Sequence, residues 1–210
     1  MISSEPIIEL QRTDQWLIDR LGLITASKVK DVVGKTKAGS YLAGRDAYKW
    51  QLVRERITGV PAEFKATAAM QWGIDQEEDA RKFYETRYDV EVAKVGFIKH
   101  PSIECAGASP DGLVGDDGLV EFKCMESVNH LRTIYKRKVP DDHVDQCQFQ
   151  MAVTGRQWCD LTLYDPRMPD ELQLKRFRLK RDQDRITFLE TEILLFNIEI
   201  EDIVSKLLEQ

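Results

Sequence analysis

Two acids and one amine within a short stretch carry the chemistry this chain could do: Asp111, Glu121 and Lys123. Glu121 and Lys123 are two residues apart, so on a strand they point to one face. Asp111 precedes them in Ser109-Pro110-Asp111-Gly112, and Gly115-Asp116-Asp117-Gly118 has the composition of a hairpin turn. A turn there lays two strands side by side and lets Asp111 reach the face of Glu121 and Lys123 from the edge. Two carboxylates suffice to hold one or two Mg2+ ions, which prefer hard oxygen ligands and keep several waters; Mn2+ is expected to substitute. Such an ion polarises a phosphoryl oxygen and lowers the pKa of a bound water. The Lys123 ammonium would orient that water and offset negative charge in the transition state, with the backbone carbonyl of Phe122 as a further metal ligand. The chemistry is metal-assisted hydrolysis of a phosphodiester. Each half also has a plainer reading, Pro-Asp-Gly as a common turn and Glu-x-Lys as an exposed cross-strand charge pair.

The elements that must position these groups follow from periodicity. Before residue 60 the pattern is of short helices: Thr13 caps DQWLIDRL, Thr25 or Ser27 caps a helix through Val33 that stops at Gly34, and 45–57 form a third. Between them KTKAGS is a basic, glycine-containing loop, expected to be mobile. Residues 67–87 read as a longer helix on which Met70, Ile74, Glu77 and Tyr84 share a face, so that Glu77 is a carboxylate on an inward-looking stripe. The period then changes to two: 90–98, 103–109, 112–114 and 119–123 read as strands. Helices are expected at 126–136 and 142–154, strands at 158–164 and 173–179 joined by the turn DPRMPD, and a last helix from about 182 to 209. That order predicts an α/β (α+β) fold with a mixed sheet rather than a regular doubly wound one.

The chain has 210 residues, 42% of them apolar and 31% charged, which suits one domain with a buried core. No apolar run approaches the length needed to cross a bilayer, and the first residues lack a basic segment followed by an apolar one, so a soluble, cytoplasmic protein with no membrane partner is expected. The net charge of −6 argues against a generic nucleic-acid-coating protein. Residues 182–210 hold eight acids and two bases, so the excess acidity belongs to the last helix and the body is neutral. Cys105, Cys124, Cys147 and Cys159 form no C-x-x-C pair and read as free thiols.

Pro110-Asp111…Glu121-Phe122-Lys123 resembles the signature of the PD-(D/E)xK nucleases. The resemblance extends to one branch, the lambda-type phage alkaline exonucleases or YqaJ-like viral recombinases. It rests on Arg20-Leu21-Gly22-Leu23-Ile24-Thr25-Ala26-Ser27, on Trp72-Gly73 followed by Glu77, and on Ser109-Pro110-Asp111-Gly112-Leu113. Glu121-Phe122-Lys123-Cys124, Gln146-x-Gln148 and Tyr164-Asp165-Pro166-Arg167-Met168 continue it, collinear over residues 10–180.

The resemblance implies a restriction-endonuclease-like core with a mixed central sheet flanked by helices and a long C-terminal helix. It divides a single nuclease domain, 1–210, into N-terminal helices with a 5′-end pocket (1–66), a core (67–180) and a C-terminal helix (181–210). It makes Asp111 and Glu121 metal ligands, Lys123 the catalytic lysine, Glu77 the helix-borne carboxylate that completes the site, and Gln146 a glutamine placing metal, water or substrate. Arg20, Ser27 and Ser109 would bind the 5′-terminal phosphate: arginine offers a planar fork, and a serine at a helix start adds a hydroxyl and nearby N–H groups. Met70 stands where the family wedges an apolar side chain between separating strands. His143 stands where the family carries an aromatic residue, and Lys37 where an arginine probes the groove of incoming duplex.

The implied activity is Mg2+-dependent 5′→3′ digestion of linear double-stranded DNA. It would release mononucleotides and leave 3′ overhangs for recombination with a single-strand annealing protein, in a ring-shaped homotrimer of phage or prophage origin. A restriction-type endonuclease and a non-catalytic DNA-end-binding module are the alternatives. Two basic clusters, Lys28, Lys30, Lys35 and Lys37, and Arg132, Lys136, Arg137 and Lys138, would contact the DNA backbone without reading sequence. On the last helix, Ile186, Leu189, Ile193, Phe196, Ile200, Ile203 and Leu207 form an apolar seam expected to pack on the domain, with acidic faces elsewhere.

Overall fold

A computed structural model describes residues 11–63 and 66–209. The first half supplies helices α1 (Asp14–Asp19), α2 (Val29–Val33), α3 (Ala43–Thr58) and α4 (Ala68–Tyr88), with strand β1 (Ile24–Thr25) between the first two. Thr13 caps α1 as its side chain accepts from the Trp16 N–H, and Thr67 caps α4 in the same way through the Met70 N–H. Thr25 precedes a single 3-10 turn (Ala26–Lys28), and neither it nor Ser27 makes a side-chain cap there; the turn's own backbone bond carries the chain into α2. The basic segment after Gly34 is a small hairpin in which Lys35 is bridged to Tyr41, not an unpaired loop. It is tied down by the Tyr41 hydroxyl, which donates to Glu192 at 2.8 Å.

The strands are β2 (Val92–Ala93), β3 (Ile98–Lys99), β4 (Ala106–Ala108), β5 (Gly112–Val114) and β6 (Gly118–Lys123). Helices α5 (Ser127–Lys136) and α6 (Asp141–Thr154) follow, then β7 (Trp158–Tyr164), α7 (Asp170–Gln173), β8 (Leu174–Lys180) and α8 (Gln183–Leu208). Five strands make a mixed sheet in the order β2-β5-β6-β7-β8, and three make a smaller one, β1-β4-β3. The stretch 90–98, expected as one strand, is split between the two sheets: Val92 pairs with Val114, whereas Ile98 pairs with Ala108. Alternation records which face a residue shows but not which strand it meets, and here the chain crosses from one sheet to the other. The expected turn before β8 also contains a helical turn, α7.

β5 and β6 form the hairpin that the Gly-Asp-Asp-Gly sequence requires, with Gly112 opposite Val120 and Val114 opposite Gly118. Gly115 has φ +52°, which an L side chain rarely adopts, and a Cβ on Gly118 would lie 2.0 Å from the Trp158 ring. β6 then runs parallel to β7, Glu121 beside Leu161, and the antiparallel β8 closes the edge. A parallel pair needs a long crossover, and α5 with α6 supplies it.

The pleat of β6 divides the core. Val120 and Phe122 pack under α4 with Tyr84, Tyr164 and Leu174, while Leu119 joins Cys147, Phe149, Cys159 and Leu161. Glu121 and Lys123, in step with Leu119, therefore face α6. α6 is buried from Cys147 through Val153 because α8 and α2 pack on it and β7 and β4 lie beneath it. α8 is about 39 Å long over its 26 residues. It buries Ile186, Leu189, Ile193, Phe196 and Ile200 completely, each contributing roughly 1.5–3 kcal/mol. Its other faces are not uniformly acidic: Leu194, Leu195 and Ile198 are 47%, 51% and 60% exposed. All four cysteines are free thiols. Among the described residues no helix is long and apolar enough to cross a membrane.

Candidate active site

Asp111 stands one residue before β5, and its Oδ2 accepts the Phe122 N–H at 2.6 Å, which pins it against β6. Glu121, 4% exposed, lies beside it. Lys123 Nζ donates to Glu121 Oε1 at 2.8 Å and to Gln146 Oε1 at 3.0 Å, and Gln146 Nε2 returns to Glu121 Oε1 at 2.6 Å. The expected convergence of two acids and an amine is thus present, with Gln146 of α6 completing a ring. Gln150, one helical turn further on, donates to Glu121 Oε2 at 2.6 Å. The sequence reading passed over it, although an i, i+4 step from Gln146 places both amides over one carboxylate. Gln148, between them, faces away and clasps the Lys180 carbonyl and the Asp182 N–H.

Burial and like charge act together on the acids of this group. Burial pushes the Asp111 carboxyl well above the ordinary range, and the charges of Glu121 and Glu77 push it further. Burial opposes the charge on Lys123, but Glu121 and Asp111 outweigh it and hold the ammonium pKa above its usual value. Among the described residues no set of three or more His, Cys, Asp or Glu is placed to hold a metal ion. The carboxylates brought together are those of Asp111 and Glu121; two such donors fit a hard cation that keeps most of its water and do not make a closed cage.

Glu77 projects from α4 into the same cavity, where its carboxylate is ion-paired to Arg12, a residue with φ 70° that the sequence reading did not single out. Met70, in the first turn of α4, is 46% exposed at the cavity wall.

A second cluster lies along that wall. The Arg20 guanidinium sits 4.1 Å from the centre of the Trp16 ring and donates to Thr25 Oγ1 at 3.3 Å. Thr25 Oγ1 is 3.4 Å from Ser27 Oγ, and Trp16 Nε1 donates to Ser109 Oγ at 2.8 Å. Arg20, Ser27 and Ser109 are therefore brought together, through Trp16 and Thr25, which sequence reasoning missed. Burial lowers the pKa of Arg20, and the structure shows no carboxylate ion pair for it among the described residues. One cavity of about 710 Å³ joins Arg20, Ser27 and Ser109 to Met70, Glu77, Asp111, Glu121, Lys123 and Gln146.

Two expected residues stand outside it. Lys37 is exposed on the Lys35–Tyr41 hairpin. His143, in the first turn of α6, lines a separate cleft of about 480 Å³ with Arg132, Lys136 and Lys138. Burial lowers its pKa, and the charge of Lys123 lowers it further.

The comparisons with known proteins identify the class as a nuclease. The YqaJ-like viral recombinase domain matches residues 15–157, and the chain belongs to that family. It is similar to the crystal structure of an alkaline exonuclease, LHK-Exo, from Laribacter hongkongensis: 43% identity, 94% of this chain and 97% of that one covered, TM-score 0.86. The structure of LHK-Exo in complex with dAMP matches at 42% identity and TM-score 0.86, over 93% of this chain and 96% of that one. A phage related exonuclease from Haemophilus somnus 129PT shares the fold at 13% identity and TM-score 0.71, over 88% of this chain and 96% of that one. Among curated proteins none matches significantly.

Proposed function

We propose that the chain is a Mg2+-dependent exonuclease that digests one strand of linear double-stranded DNA from its 5′ end. One observation carries the reading: a single cavity joins an acid pair with its lysine to a half-buried arginine that makes no ion pair with a carboxylate among the described residues. The first end suits a cation and the second an anion, which is the arrangement a terminal phosphate and a scissile phosphodiester require. Asp111 and Glu121 would hold the divalent ion, with the Phe122 carbonyl as a further donor, and Mn2+ would substitute for Mg2+. The ion supplies Lewis-acid polarisation and an acidified water. Lys123 then holds its proton towards the reacting phosphate and offsets the charge that builds there, while Gln146 orients Lys123 and Glu121 together. Glu77 adds a third carboxylate, held back by Arg12.

Arg20, Ser27 and Ser109 would seat the 5′-phosphate, Met70 would part the terminal base pairs, and Lys37 and His143 would touch DNA beyond the cavity. The similarity to an exonuclease solved with dAMP supports stepwise release of mononucleotides. That digestion leaves 3′ single-stranded overhangs, the substrate of a single-strand annealing protein in the cytoplasm of a bacterial host. Exposed Leu194, Leu195 and Ile198 on α8 leave apolar surface for assembly into a ring-shaped homotrimer.

End-labelled linear duplex incubated with Mg2+ tests the reading. The 5′ label should be released first, as mononucleotide, and covalently closed circles should stay intact. Cleavage of the circle would make the protein an endonuclease, and digestion of linear DNA by Lys123→Ala at the wild-type rate would remove the proposed centre.

A further inference from the structure

Gln146 and Lys123 share Glu121 Oε1 and bond to each other, so either one keeps that oxygen partnered if the other moves. Among the described residues Glu121 Oε2 has one side-chain donor, the Gln150 amide at 2.6 Å. Gln150 is fully buried and does not line the cavity; it approaches the carboxylate from behind. Its own Oε1 has no hydrogen-bond partner among the described residues.

Packing does not explain this side chain. A methionine would fill the same volume without bringing in an amide oxygen that stays unpaired; what it would lose is the donor to Glu121 Oε2. Nor is the amide free to turn over, because the reverse orientation would set its carbonyl oxygen against a carboxylate oxygen. The arrangement keeps a donor on Glu121 at the expense of an unpartnered acceptor, which is what a residue that orients another is expected to do.

We propose that Gln150 is a positioning residue: by holding Oε2 from behind, it fixes the orientation from which Glu121 meets a divalent cation, and so sets the cation affinity of the site. The proposal rests on the nuclease reading above. Hydrogen-bond partners of metal-ligating carboxylates typically change metal affinity by about 10–100-fold when removed.

The test is calorimetric titration of the full chain with Mn2+, paired with thermal melts, for the wild type, Gln150→Met and Gln150→Asn. The first variant deletes the donor at constant volume. The second keeps an amide but withdraws it by one methylene, and serves if the first does not fold. The expected result is a Mn2+ Kd raised by about 10-fold or more. The Mn2+ concentration for half-maximal hydrolysis should rise with it, and kcat at saturating Mn2+ should change less than the Kd does. An unchanged Kd in a folded variant whose Tm alone is lowered would make Gln150 a structural filler and overturn the proposal. No Mn2+ binding by the wild-type chain would overturn the nuclease reading itself, a result distinct from a variant that binds as the wild type does.

Discussion

Asp111, half-buried, and Asp165, fully enclosed, are two carboxylates at the ends of strands, and their surroundings push them in opposite directions. Among the described residues Asp111 has one N–H donor, from Phe122; its pKa is raised first by burial and then by Glu121 and Glu77, which the charge of Lys123 only partly offsets. Asp165 is fully enclosed, but its Oδ1 accepts from the Arg167 backbone at 3.0 Å and Nε at 2.7 Å, and its Oδ2 from Ser127 at 2.6 Å and Arg167 Nη2 at 3.0 Å. Burial pushes Asp165 up, yet those donors outweigh it and hold its pKa at about 2. The satisfied acid is a fastener: it ties the end of β7 to α5 and to Arg167, which stacks 4.5 Å over Trp72 of α4. The acid with few donors is the one the proposed function assigns to a cation. Exposure does not predict the direction, since the more enclosed acid is the one held down; the balance of donors against like charges does.

Replacing Asp111 should break this contrast with the largest effect. Asn keeps an acceptor for the Phe122 N–H but removes the buried charge. Hydrolysis of linear duplex should fall by at least about 10²-fold. Thermal stability without metal should rise at pH 8, because a carboxyl whose folded pKa is raised makes the chain lose stability as pH climbs through and past the ordinary carboxylate range. The wild type should regain that stability on adding Mn2+ and the Asn variant should not; initial rates on linear duplex check the first point, and melting curves with and without Mn2+ at pH 5 and pH 8 check the other two.

Asp165→Asn should do the reverse. Its folded pKa is depressed below the ordinary 3.8, so its stabilisation is present above that value and is lost as pH falls towards 2. The variant should lose about 1–3 kcal/mol at neutral pH and lack that acid limb, while its hydrolysis per folded molecule stays near the wild type's. A chemical-denaturation series from pH 2 to pH 7 makes the comparison; equal slopes for both proteins would remove Asp165 from the role of fastener.

The same contrast between local and long-range partners decides how much the sequence disclosed. The Asp111, Glu121 and Lys123 set was legible because a four-residue turn brings it together, and β7 was read to the residue because Trp158–Tyr164 alternates between two turn signals. Gln150 was legible in principle from its helical step but carries no signal of its own. Trp16 and Ser109 are 93 residues apart, and their contact follows from the packing of α1 against the region before β5, not from any pattern in the chain. The split of 90–98 into β2 and β3 is of the same kind, as is the outward turn of Leu194, Leu195 and Ile198 on α8, where helical period gives the buried seam but not what the opposite face meets.

At the other end of the cavity, Arg20 extends the comparison from acids to a base. It is a desolvated cation whose side-chain bond is to a hydroxyl, so it should favour an anionic DNA end. Arg20→Ala should erase a preference for 5′-phosphorylated over 5′-hydroxyl ends that is worth roughly 10-fold or more in initial rate, since hydrogen bonds to charged groups are worth about 1.5–3 kcal/mol. Equal rates on the two ends with the wild-type protein would contradict that assignment.

The smallest effect is expected at Met70, which tests whether the wall between the two ends acts on DNA or only packs. A methionine 46% exposed contributes little to the core, so Met70→Ala should change stability by no more than about 0.5 kcal/mol. If the side chain parts the terminal base pairs, the variant should be slowed on blunt duplex, where unstacking a step costs a few kcal/mol, and should match the wild type on ends already frayed by mismatches. A core role gives the opposite pair of results: a Tm lowered by several degrees and the same rate ratio on both substrates. Initial rates on blunt and frayed duplexes of one sequence, with melting curves of the same preparations, separate the two, because only a wedge makes the variant's deficit depend on whether the end is already open.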